Sequence, residues 1–579
     1  LKRLLGYLTE YKKECVLGPL FKLLEASFEL LVPLVMAAVI DTGIKNRDQA
    51  YVVQMCLVLV GLGVIGLACS ITAQYFAAKA SVGFAAKVRS ALFGRIQKLG
   101  FAELDKEGAP TLITRMTSDI NQVQNGMNLT LRLLLRSPFV VFGAMFMAFT
   151  IDWKAALIFA IAIPLLAVVV FGVMLWTMPR YKQVQAGLDK VLGKTRENLT
   201  GVRVVRAFGR EEEETAAFEK ENDALTRLQV FVGRVSGLMN PVTYVLINLA
   251  TLVLVWVGAL RVDEGAITQG QVVALLNYMG QILVELVKLA NLIINITKAL
   301  ACASRVADVM DIQPNLEDTG KTTPASAAQP AGLSVDFQNV SLTYQGAGAE
   351  SLSHITFSVN PGETVGIIGG TGSGKTSLVN LIPRFYDCTQ GEVRIGGVPI
   401  AQWPLQSLRQ QIGVVPQRAQ LFTGTIRENL QWGSGPATDE ELWQALEAAQ
   451  AKDFVQQKPK KLDEPVAQGG RNFSGGQRQR LTIARALARK PRLLILDDSA
   501  SALDFATDAR LRSAIKNLPW GQTVFIVSQR ASSIRHADKI LVLDDGLPAG
   551  IGTHEELLKG CEVYREICQS QMEKGGQEA

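Results

Sequence analysis

The sequence predicts a multidomain membrane protein: a six-helix α-helical transmembrane domain with long cytoplasmic extensions, fused to a C-terminal α/β domain. Three observations predict it. Six stretches, all ahead of residue 300, are each long and apolar enough to cross a bilayer, which takes roughly 20 residues. Over residues 314–332 the composition then shifts to Pro, Ala, Ser, Thr and charge, as in a flexible linker. Beyond the linker, the strand-like run Thr364-Val365-Gly366-Ile367-Ile368 leads into Gly369-Gly370-Thr371-Gly372-Ser373-Gly374-Lys375-Thr376, and Ser377 opens a helix-like run. This is the G-x-x-x-x-G-K-[ST] pattern in its strand–loop–helix context, so the C-terminal part is a P-loop nucleotide-binding domain. The expected division is 1–313 membrane, 314–332 linker, and 333–579 nucleotide-binding.

The expected spans are 16–40, 52–76, 133–151, 155–178, 241–260 and 272–296. Short loops join the first to the second, the third to the fourth and the fifth to the sixth. The other connections, 77–130 and 179–240, are long and rich in Lys and Arg. The positive-inside bias places them, both termini and the nucleotide-binding domain in the cytoplasm. Their helical spacing of apolar residues predicts helices that run past the membrane and turn near Leu99–Gly108 and near 199–209. Ionisable residues within the spans are few. Lys22 and Glu25, or Glu25 and Glu29, share a helix face. Arg132 and Arg136 are expected to snorkel to an interface. Glu285 either lines a cavity or pairs within the bundle.

Composition excludes some functions. A net charge of +6 in 579 residues is no signal for nucleic acid. Seven dispersed cysteines and three histidines give no metal-ligand spacing. A soluble motor is excluded by the six spans.

In the C-terminal part, the glycines of residues 369–374 let backbone N–H groups point at phosphate oxygens. Lys375 reaches the β- and γ-phosphates, and the Thr376 hydroxyl can ligate Mg²⁺. Downstream, Leu493-Leu494-Ile495-Leu496-Asp497 is a buried-strand pattern ending in an acid. Asp497 is the candidate to hold Mg²⁺, directly or through water. Ser474-Gly475-Gly476-Gln477 precedes a helix-like run and forms a second candidate anion site. Gln417, at the end of Ile412-Gly413-Val414-Val415-Pro416, can reach a metal or a water.

Together these residues resemble the ATP-binding cassette (ABC) family, and the apolar half resembles its exporter-type half-transporters. The most specific element is Ser474-Gly475-Gly476-Gln477 shortly before Asp497. Asn198-Leu199-Thr200-Gly201-Val202-Arg203 through Glu212 looks like the second coupling segment of these exporters. The resemblance implies that Tyr344 stacks on adenine and that Gln417 senses Mg²⁺ and the membrane domain. It implies that Ser501-Ala502-Leu503-Asp504 crosses to a partner cassette. It also implies a dimer in which each ATP lies between one chain's phosphate loop and the other chain's signature.

The chain departs from the family pattern at three places. Asp498 stands where a Glu normally acts as general base. Gln529, in Ser528-Gln529-Arg530, stands where a His normally meets the γ-phosphate. Gln468 stands where Glu is usual. Asp is one methylene short for a base that must come within about 2.6–3.2 Å of its proton, and Gln cannot become cationic. The expectation is a degenerate site on a chain whose signature is intact, hence a heterodimer with a second half-transporter. That assembly would export amphiphilic compounds or drugs from a bacterial plasma membrane. The alternatives are a lipid or glycolipid flippase of the same fold, or an ATP-gated regulatory subunit. The cofactors implied are ATP and Mg²⁺.

Overall fold

The computed structural model describes residues 2–316, 318, 320, 322, 332–499 and 502–575. Most of the linker, and Ser501 of the expected crossing loop, lie outside the described residues. The described residues form two compact units: Leu1–Lys98 with Ala109–Ile312, and Leu99–Gly108 with Gln313–Ala579.

The first unit holds six long helices, Arg3–Ile44, Gln49–Ile96, Ala109–Ile151, Trp153–Thr200, Glu211–Asp263 and Gln269–Asp311. At 1.5 Å per residue a helix of 48 residues such as Gln49–Ile96 reaches about 72 Å. The hydrocarbon core of a bilayer is only about 30 Å thick, so these helices must extend well past it, as the sequence predicts. Asp152 caps the fourth helix by accepting from the Ala155 N–H, and Thr268 and Gln271 form a capping box on the sixth. These short polar caps explain how the chain reverses in so few residues. Small residues (Ala144, Ala148, Ala155, Ala156, Ala274) fill the bundle core between Phe159, Tyr278 and Met279, allowing close helix approach.

Arg136 does not snorkel. It is 6 % exposed and donates to Glu285 Oε1 at 2.6 Å and to Glu29 Oε2 at 2.5 Å. Ser137 Oγ donates to Glu285 Oε2 at 2.8 Å, and Lys288 Nζ to Oε1 at 2.9 Å. Two carboxylates from other helices engage both terminal nitrogens of the guanidinium where it stands, which holds it inside the bundle. Glu285, 3 % exposed, is a paired core residue and not a cavity wall. Lys22 pairs with Glu25 at 2.5 Å, as the same-face spacing predicts. Arg136→Ala is expected to destabilise the membrane unit by about 3 kcal/mol, because it takes the buried cation from Glu285, leaving that carboxylate only Ser137 and Lys288. Thermal unfolding of the purified protein in detergent checks this, with Arg136→Lys keeping part of the loss back.

The second unit contains three sheets. The first has order β2-β1-β4-β5, from β1 (Val335–Leu342), β2 (Leu352–Val359), β4 (Gln390–Ile395) and β5 (Val398–Pro399). Gly396 and Gly397, both at positive φ, make the β4–β5 hairpin turn. The six-stranded sheet runs β12-β11-β3-β10-β9-β6. Its members are β3 (Thr364–Gly369), β6 (Ile412–Val415), β9 (Leu493–Asp497), β10 (Thr523–Val527), β11 (Lys539–Asp544) and β12 (Leu547–Gly552). A small third sheet pairs β7 (Gly424–Thr425) with β8 (Pro465–Val466). Strands β11, β3, β10, β9 and β6 are parallel. Buried on both faces, β9 and β10 are continuous apolar runs, as parallel strands must be. In such sheets ligands gather at the carboxyl ends of the strands, and that edge is where the motifs converge.

Candidate nucleotide site

Strand register builds the site. Val527, the last residue of β10, pairs with Asp497 at the end of β9 and with Ile367 two residues before the end of β3. The phosphate loop, the acidic pair Asp497-Asp498 and the Ser528-Gln529 segment therefore leave one sheet edge together. The loop feeds the helix Lys375–Leu381, whose first residue follows Gly374 at φ +88. A Cβ at Gly374 would fall 2.6 Å from the Ser351 carbonyl oxygen, and one at Gly369 would fall 2.1 Å from that of Leu543. Both positions therefore need glycine.

Lys375 is buried, and its Nζ donates to the carbonyls of Gly369 (3.0 Å) and Gly370 (2.5 Å) and to Ser373 Oγ (3.2 Å). Burial lowers its pKa, while Asp498 and Asp497 pull it back up. The Thr376 hydroxyl donates to Asp497 Oδ1 at 3.0 Å, joining the two elements the sequence singled out. Burial raises the Asp497 pKa, with Asp498 adding to the rise and Thr376 and Lys375 opposing it. A buried, under-compensated carboxylate beside a hydroxyl is a donor set that suits a hard cation with oxygen ligands. Among the described residues no cluster of three or more His, Cys, Asp or Glu forms a metal cage.

Asp498 is half-buried and sits at φ +43. Its N–H donates to the Val527 carbonyl at 3.0 Å, fixing its backbone to β10. Gln417 Nε2 donates to its Oδ2 at 3.3 Å. Burial raises its pKa, against Gln417, Lys375 and Arg530. Gln529 is exposed at the next strand end. Its carbonyl accepts from Gln571 Nε2 at 2.7 Å, and Gln571 Oε1 accepts from the Ala531 N–H at 2.9 Å. Gln571, on the helix Glu562–Gly575, thus clamps the backbone around Gln529. Nothing in the sequence marks it, because the contact joins positions 42 and 40 residues apart through one ordinary amide.

Tyr344, two residues past β1, donates its hydroxyl to Ser377 Oγ at 3.0 Å and meets Tyr386 edge-on at 5.0 Å. Ser474 and Gln477 form a capping box: Ser474 N–H to Gln477 Oε1 at 3.0 Å, Gln477 N–H to Ser474 Oγ at 3.3 Å. The helix they start, Gly475–Ala488, buries Leu481, Ile483, Ala484 and Leu487, while Ser474 and Gly475 are exposed. Gly476 packs under the Ala502 carbonyl, where an added Cβ would come within 3.2 Å. Asp504 caps the helix Phe505–Lys516 through the Thr507 N–H. Gln468 lies exposed in the turn before the signature.

The family model "ABC transporter transmembrane region" matches residues 15–286, and the model "ABC transporter" matches residues 352–501. The chain is 36% identical over 578 residues to the uncharacterized ABC transporter ATP-binding protein Rv1273c of Mycobacterium tuberculosis (98% of this chain, 97% of that one). This chain belongs to the ABC transporter family. It is 34% identical to the ABC transporter ATP-binding protein YfiB of Bacillus subtilis over the full length of both. It is 31% identical to an ATP-dependent lipid A-core flippase of Chromobacterium violaceum, over 98% of this chain and 96% of that one. The fold matches a bacterial Atm1-family ABC exporter with ATP bound, at TM-score 0.78 and 23% identity, covering 97% and 98% of the two chains. The ABC chain is thus a multi-pass membrane protein with one transmembrane and one ATP-binding region, in the fold of an exporter-type half-transporter. Its C-terminal domain binds ATP and couples ATPase activity to transport.

Proposed function

We propose that this chain is one subunit of a heterodimeric ABC exporter of amphiphilic compounds, and that its own ATP site holds nucleotide more than it cleaves it. One observation carries the reading: the binding half of the site is complete and its protolytic half is not. Lys375, Thr376 and Asp497 lie together at one strand edge, while the positions for base and cation hold Asp498 and Gln529. Gly369 to Ser377 cradle the phosphates, and Tyr344 carries the adenine. Thr376, Gln417 and Asp497 would hold Mg²⁺, which offsets charge on the β- and γ-phosphate oxygens. Asp498, anchored through its own N–H to β10 and engaged by Gln417, holds its carboxylate back from a water in line with the γ-phosphate. Gln529 can donate a hydrogen bond to that phosphate but brings no positive charge. Ser474 and Gly475, exposed, with Gly476 and Gln477, half-buried, at a helix N-terminus, present N–H groups and the positive helix end to the partner's ATP. Asp504 lies in the loop that crosses between cassettes.

In this reading the division at residues 313 and 333 separates the bilayer-spanning part from the cytoplasmic part, in a bacterial plasma membrane. A second reading is favoured by the relatives named lipid A-core flippases: the cargo is a membrane lipid. Reconstitution of the co-expressed pair in vesicles decides among the readings. An amphiphile exporter is expected to show cargo-stimulated ATP turnover with vectorial uptake of an amphiphilic dye, and a flippase to move labelled lipid between leaflets with the same coupling. Solute flux without turnover would sink both in favour of a gated subunit.

A further inference from the structure

Beside the helix Phe505–Lys516, which Asp504 caps, lies a cavity of about 590 Å³. That is within the size range of sites that take small ligands. Its floor is apolar. Val524 and Ile526 of β10 share one face of their strand, and Leu496 of β9 is the register partner of Ile526. The helix supplies one wall through Ala509, Arg512, Ser513 and Lys516, which recur at the spacing of a single helix face. The opposite wall comes from Ser532, Ser533, Arg535 and His536, just past the Gln529 segment.

The two walls are braced against each other. Arg512 reaches across, its Nη1 donating to the carbonyls of Ser532 (3.2 Å) and Ser533 (3.1 Å). Its Nη2 pairs with Asp508 at 3.2 Å, and the same carboxylate accepts from Ser533 Oγ at 3.0 Å. Asp508 is therefore engaged within the fold, at 2 % exposed. A second nearby carboxylate, Asp538, accepts from the Thr364 N–H at 2.8 Å. Lys516 and Arg535, by contrast, are exposed and bring two full positive charges to the rim, one from each wall. An apolar floor under a few placed polar groups is the make-up of a small-molecule site, and here the free charge at the rim is of one sign.

We propose that this cavity binds a compact organic anion, an aromatic or short aliphatic body carrying one carboxylate or sulfonate. The body lies on Leu496, Val524 and Ile526, where leaving water is favourable. The acid group pairs with Lys516 and Arg535 in charge-assisted hydrogen bonds, which are stronger than neutral ones. The bound anion rests on the helix that Asp504 starts and on the stretch that follows Gln529, so it gives a small molecule a hold on two elements beside the nucleotide site. The inference concerns a separate site and stands whether or not the nucleotide site is degenerate.

The test uses the purified full-length chain in nanodiscs at saturating ATP, so that the phosphate loop is filled. Calorimetry, with empty nanodiscs as the blank, compares 2-naphthoate with its uncharged amide. The native chain is expected to bind the naphthoate about 10-fold or more tighter than the amide, the scale of one charge-assisted hydrogen bond. Lys516→Glu with Arg535→Glu is expected to weaken naphthoate binding by at least about 10-fold and to leave the amide within about 2-fold. Ser513→Trp, at an exposed position, fills the cavity mouth and is expected to abolish binding of both probes. Unchanged ATP affinity in each variant shows that it has folded. Equal affinity of the native chain for the two probes overturns the proposal, because the charge then does not select. Naphthoate binding that survives Ser513→Trp places the anion elsewhere and also overturns it. So does a native chain that binds neither probe. Should Ser513→Trp in that case weaken association with a second half-transporter, the cavity is a seat for the partner chain instead.

Discussion

Replacing Ser474 by Arg is expected to cut ATP turnover of the assembled transporter by about 10²–10³-fold, the scale seen when one preorganised anion donor is removed from a reacting centre. Lys375→Ala is expected to weaken nucleotide binding to this chain about as severely, yet to leave turnover within about 10-fold of the native rate. The asymmetry follows from where the two residues act. Lys375 is enclosed by its own loop, bonded to Gly369, Gly370 and Ser373, and serves the ATP that this chain holds. Ser474 is exposed at the start of a helix whose opposite face is core, and serves the ATP held by the other chain. An arginine there blocks the approach of the opposite phosphates and destroys the capping box with Gln477. Steady-state ATPase and photolabelling with an azido nucleotide, measured on the same preparations, separate turnover from occupancy. Effects of reversed size would contradict the division of labour.

The second large effect is a gain. Asp498→Glu with Gln529→His is expected to raise hydrolysis at this chain's own site by about 10²-fold or more, because a positioned general base contributes 10²–10⁴-fold. The backbone is ready for both changes. Asp498 is tied to Val527 through its N–H, so a Glu at the same place projects its carboxylate one carbon bond further, about 1.5 Å. The Gln529 carbonyl and the Ala531 N–H are both held by Gln571, so a His at 529 starts from a fixed Cα. Each change alone is expected to give less than the pair, since groups acting on one transition state are not additive.

Much of this was legible in the sequence because its signals are local. Six apolar runs gave six helices, and the phosphate loop and the acid-ended strand came together at one sheet edge. Both turns predicted in the long connections exist as short helices, Phe101–Glu107 and Val202–Ala207. What was not legible depends on partners distant in sequence. Arg136 reads as a snorkelling residue until Glu29 and Glu285, 107 and 149 positions away, are seen to flank it. Glu103 carries no signal of burial in the sequence, yet contacts within the unit that holds the sheets bury it. Gln571 carries no motif at all. Hydrophobic periodicity and loop chemistry are properties of neighbours along the chain, whereas pairing of buried charges is a property of the completed fold.

The most direct test of the degenerate-site account is ATP cleavage by the purified chain without any second half-transporter, at saturating Mg-ATP, beside the Asp498→Glu/Gln529→His variant. The account predicts that the native chain binds ATP but turns over at least about 10²-fold more slowly than the variant. Brisk turnover by the native chain alone, unchanged in the variant, would contradict it.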